Sequence, residues 1–92
     1  MIKNFQHKGL EKFYLKGNVS KIQPMHERRL RMILSRLESI HKPEDMNLPG
    51  FNFHALRNDM KDYYSVSVNK NWRVIFKFDG VDAFDVDYID YH

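Results

Sequence analysis

Cysteine is absent from the 92 residues. That excludes disulfides, thiolate zinc sites and cysteine nucleophiles together, and it suits a reducing compartment. Long apolar runs are missing as well. The first twenty residues carry Lys3, Lys8, Lys12 and Lys16 with no continuous apolar stretch between them, so no signal peptide is expected. No later segment approaches the roughly 20 apolar residues that a membrane-spanning helix needs. The expectation is a cytoplasmic chain with no membrane partner. Glycine is sparse: its four copies, at 9, 17, 50 and 80, are scattered, which leaves no phosphate-cradling loop and disfavours nucleotide hydrolysis. The five histidines, at 7, 26, 41, 54 and 92, never fall four apart on one helix face, so neither a metal site nor a cofactor is expected. No serine is flanked by glycines in the manner of a nucleophile elbow.

What is present describes a folded chain. Apolar residues make up 42% and aromatics 14%, enough for one core, and 92 residues allow a single domain over 1–92. Charge is divided unevenly. Residues 1–77 hold all 15 lysines and arginines against seven acids, a net +8, whereas residues 78–92 hold five aspartates and neither Lys nor Arg, a net −5. The fold must set an acidic strand beside basic material, and the basic part suits either a polyanion or simple solvation.

Periodicity divides the chain into two halves. Residues 2–5 read as a short strand and 8–16 as a helix, with Leu10, Phe13 and Tyr14 on one face and Gly17 as a left-handed stop. After a loop over 18–23, Pro24 suits the first turn of a longer helix to about His41, whose apolar stripe is Leu30, Ile33, Leu34, Leu37 and Ile40. Arg28, Arg29, Arg31 and Arg36 occupy its other faces, to meet a polyanion or to form a solvated surface helped by Glu27 and Glu38. Pro43 ends this helix, and Pro49-Gly50 marks a turn. From Phe51 onward the period is 2, with strands expected at 51–56, 63–68, 72–78 and 83–91. Two helices before such a meander give an α+β layer, with both helices packed on one face of an antiparallel β-meander and the other face partly bare.

Strand parity indicates what the bare face carries. Trp72, Val74, Phe76 and Phe78 take the core side, so Arg73 and Lys77 point away from it. A turn at Asn69-Lys70-Asn71 sets Tyr64 and Val66 opposite Phe76 and Val74, and leaves Ser65 and Ser67 flanking Arg73. On the last strand Phe84, Val86 and Tyr88 read as core, with Asp85, Asp87, Ile89 and Tyr91 on Arg73's face. A three-residue connection or a bulge after Asp79 keeps these faces consistent and sets Asp87 opposite Arg73.

The candidate chemical groups are then His54, Arg57, Arg73, Tyr91 and His92. Cleaving a phosphodiester by its own ribose 2′-hydroxyl needs a base for that hydroxyl, cations for the charge gathering at phosphorus and an acid for the departing 5′-oxygen. Arginine suits the middle role because it stays charged and holds two phosphate oxygens at once. Histidine suits the proton roles because it titrates near neutrality. Each residue also has a plainer reading: Arg73 as an ion-pair partner of Asp87, His54 as a strand residue bonded to backbone, Tyr91 and His92 as a frayed terminus.

The opening Met1-Ile-Lys-Asn-Phe-Gln-His-Lys-Gly-Leu-Glu-Lys-Phe-Tyr, His54-x-Leu-Arg57-x-Asp59, Tyr64-Ser-Val-Ser-Val, Asn71-Trp72-Arg73-Val-Ile-Phe and Asp90-Tyr91-His92 together resemble HigB-type toxins, the host-inhibition branch of the RelE superfamily. The resemblance covers about three quarters of the chain and fails mainly over 18–50. It implies a small α+β toxin with a RelE-like, microbial-ribonuclease-like fold, and a metal-independent endoribonuclease activity that cuts mRNA in the A site of the 70S ribosome and so inhibits translation. It also implies a HigA-like helix-turn-helix antitoxin, with DNA reached only through that partner, and an active-site set of His54, Arg57, Arg73 and Tyr91 with His92 beside them. A degenerate relative that binds the ribosome or RNA without cutting, and a ribosome-independent ribonuclease, are the alternatives. One departure stands out: the family pattern usually has Lys-Gly where this chain has Arg57-Asn58. Arginine keeps the charge but does not give up a proton.

Overall fold

The first helix, α1 (Lys8–Lys16), starts where the His7 ring accepts the Leu10 N–H at 2.9 Å and stops at Gly17, whose φ of 72° lets the last carbonyls bond back, Gly17 N–H to Phe13 O at 2.9 Å and Asn18 N–H to Lys12 O at 3.3 Å. These details come from a computed structural model of the chain, which describes residues 1–90. The second helix, α2 (Glu27–Ser39), is shorter than its apolar stripe suggests. Residues Pro24–His26 form a separate 3₁₀ turn, and Ile40 leaves the helix with an extended ψ of 158°. The stripe itself is as expected: Leu30, Ile33, Leu34, Leu37 and Ile40 are all buried.

Four antiparallel strands follow in the order β1 (His54–Ala55), β2 (Tyr63–Ser67), β3 (Trp72–Asp79), β4 (Asp82–Asp90). The strand expected over 51–56 shrinks to two residues because Asn52 takes a left-handed φ of 48° and interrupts the extended backbone. The strand expected over 2–5 becomes two isolated parallel bridges to β4, Ile2 to Ala83 and Phe5 to Val86. Between them Asn4 turns to Asp85, its amide donating to the carboxylate at 2.7 Å while its own oxygen accepts the Asp85 N–H at 3.0 Å.

The β2–β3 register is the expected one, Tyr64 opposite Phe76 and Val66 opposite Val74. The β3–β4 register is not. The turn pairs Asp79 with Asp82 and holds Gly80 and Val81 at its tip, so Phe78 meets Ala83 and Lys77 meets Phe84. The ladder then slips at Asp85, whose φ is 52°, and resumes with Ile75 opposite Asp87 and Arg73 opposite Ile89. Asp87 therefore does not stand opposite Arg73; its Oδ1 accepts the neighbouring Tyr88 N–H at 2.9 Å. The extra residue reverses parity, so Ala83 enters the core and Phe84 joins Arg73's face. The core joins Leu10, Phe13 and the α2 stripe to Val66, Val74, Phe76, Ala83, Val86 and Tyr88.

Three of the four α2 arginines are held by the fold. Arg29 donates to Ser67 O at 3.0 Å and Gly50 O at 2.7 Å over the Phe51 ring, Arg31 pairs with Glu27 at 3.1 Å over Phe13, and Arg36 donates to Asp45 O at 3.1 Å. Among the described residues no helix is long and apolar enough to cross a membrane.

The break before α2 is explained by His26, buried at 3% exposure. Asn69 Oδ1 accepts the N–H groups of Asn71 at 2.9 Å and Trp72 at 2.8 Å, so its amide nitrogen is the donor facing His26 Nε2 at 2.8 Å. Nε2 therefore carries no proton, and Nδ1–H donates to the Tyr88 hydroxyl at 2.6 Å. Burial lowers the His26 pKa below its ordinary 6.5. As pH falls through that value the unfolded chain takes up a proton first, so this contribution to stability is complete above about 6.5 and fades below it. The melting temperature of the wild type should therefore fall faster below pH 6.5 than that of His26→Gln. Parallel melting-temperature profiles for the two would refute the assignment.

Candidate active site

Cross-strand pairing arranges the polar face in rows. His54 lies opposite Ser65, Ser65 opposite Ile75, and Ile75 opposite Asp87; one step along, Ser67 lies opposite Arg73 and Arg73 opposite Ile89. His54 and Arg73 are thus separated by β2 and offset by two residues along it, about 12 Å between backbones at ordinary strand spacing and rise. Ser65 ties them together. Its side chain is fully buried, it stands beside His54, and its Oγ accepts Arg73 Nη1–H at 3.2 Å. Arg73 is half-buried, with its guanidinium aimed across the sheet by that bond.

His54 is exposed, and its Nδ1 sits 3.0 Å from the carbonyl oxygen of Asn52. A carbonyl only accepts, so Nδ1 carries a proton, and in the neutral form of the ring Nε2 is the acceptor. Asn52 earns this position through its left-handed backbone, which asparagine tolerates better than most residues. A bond to backbone was the plainer reading of His54 from the sequence; that Asn52 supplies the carbonyl was not part of it, although an Asn two residues before the histidine was the available signal. Also unforeseen was a small dry patch on the same face: Ile75 is 2% exposed and Leu56 9%, and neither joins the main core. Ile75, an apolar residue at the polar parity of β3, was its trace in the sequence.

Arg57 stands just beyond, exposed, where the chain leaves β1 for a 3₁₀ turn over Asn58–Met60; Leu56 N–H bonds Tyr63 O at 2.9 Å there. Asn58 has φ 59°, a conformation glycine adopts freely and asparagine accepts, which suits the position where the resemblance implies a glycine. Tyr91 and His92 lie outside the described residues. The structure therefore brings His54 and Arg73 onto one face with Ser65 between them, and adds Arg57 at the adjoining connection. A proton acceptor, a fixed guanidinium and a second cation on an open sheet can hold a phosphodiester and move a proton at its neighbouring hydroxyl.

A family model described as a RelE-like toxin of the type II toxin–antitoxin system HigB matches residues 3–92. Endoribonuclease HigB of Proteus vulgaris is 34% identical over 92 residues, the whole of both chains. Toxin HigB-1 of Vibrio cholerae serotype O1 is 34% identical over 84 residues, 88% of each chain.

Proposed function

The chain belongs to the RelE-like HigB toxins of type II toxin–antitoxin systems, and from that premise we propose that residues 1–92 form one toxin domain, a ribosome-dependent endoribonuclease that cuts mRNA in the A site. The carrying observation is His54, with Nδ1 tied to Asn52 and Nε2 left open, one strand away from the guanidinium of Arg73. His54 Nε2 exchanges the proton of the reaction. As the 2′-oxygen bonds to phosphorus and the bond to the 5′-oxygen breaks, Arg73 and Arg57 stabilise the charge on the phosphoryl oxygens, leaving a cyclic phosphate and a 5′-hydroxyl. Tyr91 orients or exchanges a proton at the 2′-hydroxyl, and His92 assists. None of these steps calls for a metal. Such a toxin works in the cytoplasm. A type II toxin has a cognate antitoxin; in this reading it is of the helix-turn-helix kind, and the toxin meets DNA only through it.

After a pulse of expression, mapped mRNA 5′ ends should include new ends confined to translated reading frames, while purified chain leaves naked RNA intact. Ribosome association without new ends would identify a non-cutting relative, and cleavage of naked RNA a ribosome-independent one.

A further inference from the structure

The bulge at Asp85 has a second effect. Non-glycine residues are held at positive φ only where their surroundings impose it, and here Asp85, at φ 52°, is held by Asn4 at 2.7 Å and by Lys77 at 3.8 Å. The outcome is that a small alanine fills the core and a phenylalanine is turned out onto the face carrying His54 and Arg73, half-buried. Phe84 lies opposite Lys77, and Lys77 lies opposite Tyr63, also half-buried, so the three share one row. The Lys77 ammonium sits 5.1 Å from the centre of the Tyr63 ring. Arg57 flanks the row, since Leu56 is bonded to Tyr63. The row therefore runs Leu56, Tyr63, Lys77, Phe84, with Arg57 the next residue along the chain.

We propose that Tyr63 and Phe84, with Lys77 between them, are a stacking platform for the base of a nucleotide next to the scissile phosphate. This rests on the nuclease reading of His54 and Arg73. Sheet aromatics stack single-stranded bases because every base has a π-face, and a lysine held over one ring extends that surface with a positive rim. The local charge decides which part of the nucleotide binds. A cleft of about 520 Å³ takes in the Lys77 and Phe84 end of the row but not Tyr63; Asn4, Tyr64, Phe78 and the carboxylates of Asp62, Asp79 and Asp85 complete its lining. Three carboxylates around one lysine repel phosphate but accept hydrogen bonds from the amino groups of a base. The uncharged base therefore lies on the rings, and the phosphate stays with Arg73 and Arg57. The platform row is two residues along the strands from the His54 row, roughly 7 Å, within one nucleotide's reach.

The test uses 70S ribosomes programmed with an mRNA whose A-site codon is 2′-deoxy, and so cannot be cut, and carries 5-iodouridine. The same oligonucleotide is also tested without ribosomes. Loss of one stacked base should weaken binding on the order of 10-fold in Tyr63→Leu and in Phe84→Leu, with no change in Tyr63→Phe. Ultraviolet crosslinks in the wild type should fall on Tyr63 or Phe84. Unchanged affinity in a folded Tyr63→Leu variant, or crosslinks confined elsewhere, would overturn the platform even if the wild type cuts all-ribose mRNA. Crosslinks at Tyr63 or Phe84 without any cutting of all-ribose mRNA would uphold the platform and overturn the nuclease reading. If the wild type binds neither form, both are overturned.

Discussion

Arg73→Ala abolishes growth inhibition and mRNA cleavage while the protein stays folded: that is the expected result, and its two halves follow from different facts. The guanidinium is half-buried on the sheet face and donates to Ser65 Oγ at 3.2 Å. Removing it deprives a buried hydroxyl of one donor, which costs about 1 kcal/mol. For a domain of this size that lowers the melting temperature by about 4–8 °C. The catalytic loss is far larger. A preorganised donor aimed at the charge developing in a transition state contributes roughly 10²–10³ in rate, and a fixed cation next to phosphorus acts on the same charge. Single-turnover cleavage of ribosome-bound mRNA, with thermal melting alongside, separates the two. A folded variant that cuts at the wild-type rate would remove Arg73 from the chemistry, and an unfolded one would make its role structural.

Arg57 provides the second large effect, with a contrast built into it. It is exposed, at the start of a short 3₁₀ turn whose closing bonds, Met60 N–H to Arg57 O at 3.2 Å and Lys61 N–H to Asn58 O at 3.1 Å, are backbone to backbone. Its side chain can therefore change without disturbing that turn. If Arg57 supplies charge to the phosphate and transfers no proton, Arg57→Lys keeps most of the activity. Arg57→Gln then loses about 2–4 kcal/mol of transition-state stabilisation, close to what a lost oxyanion donor costs in other enzymes. The measurement is kcat/KM for ribosome-bound mRNA in the two variants. Equal rates for Gln and wild type would leave Arg57 outside the site, and a Lys variant as impaired as Gln would mean that the bidentate fork matters more than the charge.

Wherever local rules govern, the amino-acid sequence was sufficient. Helix α1 ends at Gly17 because only the left-handed conformation closes its last carbonyls, and Leu30 through Ile40 form one stripe because the helical period leaves no other face for them. The β2–β3 hairpin has the expected register because a short connection and two alternating strands admit one alignment that buries Val66 and Val74. The same parity was enough to turn Arg73 away from the core and to set Ser65 and Ser67 beside it, while the place of His54 opposite Ser65 came from the structure. The resemblance to HigB toxins, carried by motifs in the same residues, was legible for the same reason, and the family match over residues 3–92 agrees with it. What tertiary structure decided lies where a distant partner outweighs a local preference. The helical pattern breaks at His26 because Tyr88 and Asn69, 62 and 43 residues away, hold its ring. Arginines that read as a basic helix face are used by carbonyls of Gly50, Ser67 and Asp45. Period-2 counting put Phe84 in the core and Asp87 opposite Arg73, and both failed at one bulge, held by Asn4 from the far end of the chain. A bulge was one of the two devices the sequence called for, but a single extra residue changes parity wherever it falls, and the packing of Asn4 against Asp85, 81 positions apart, decides that it falls after Phe84 and not before it.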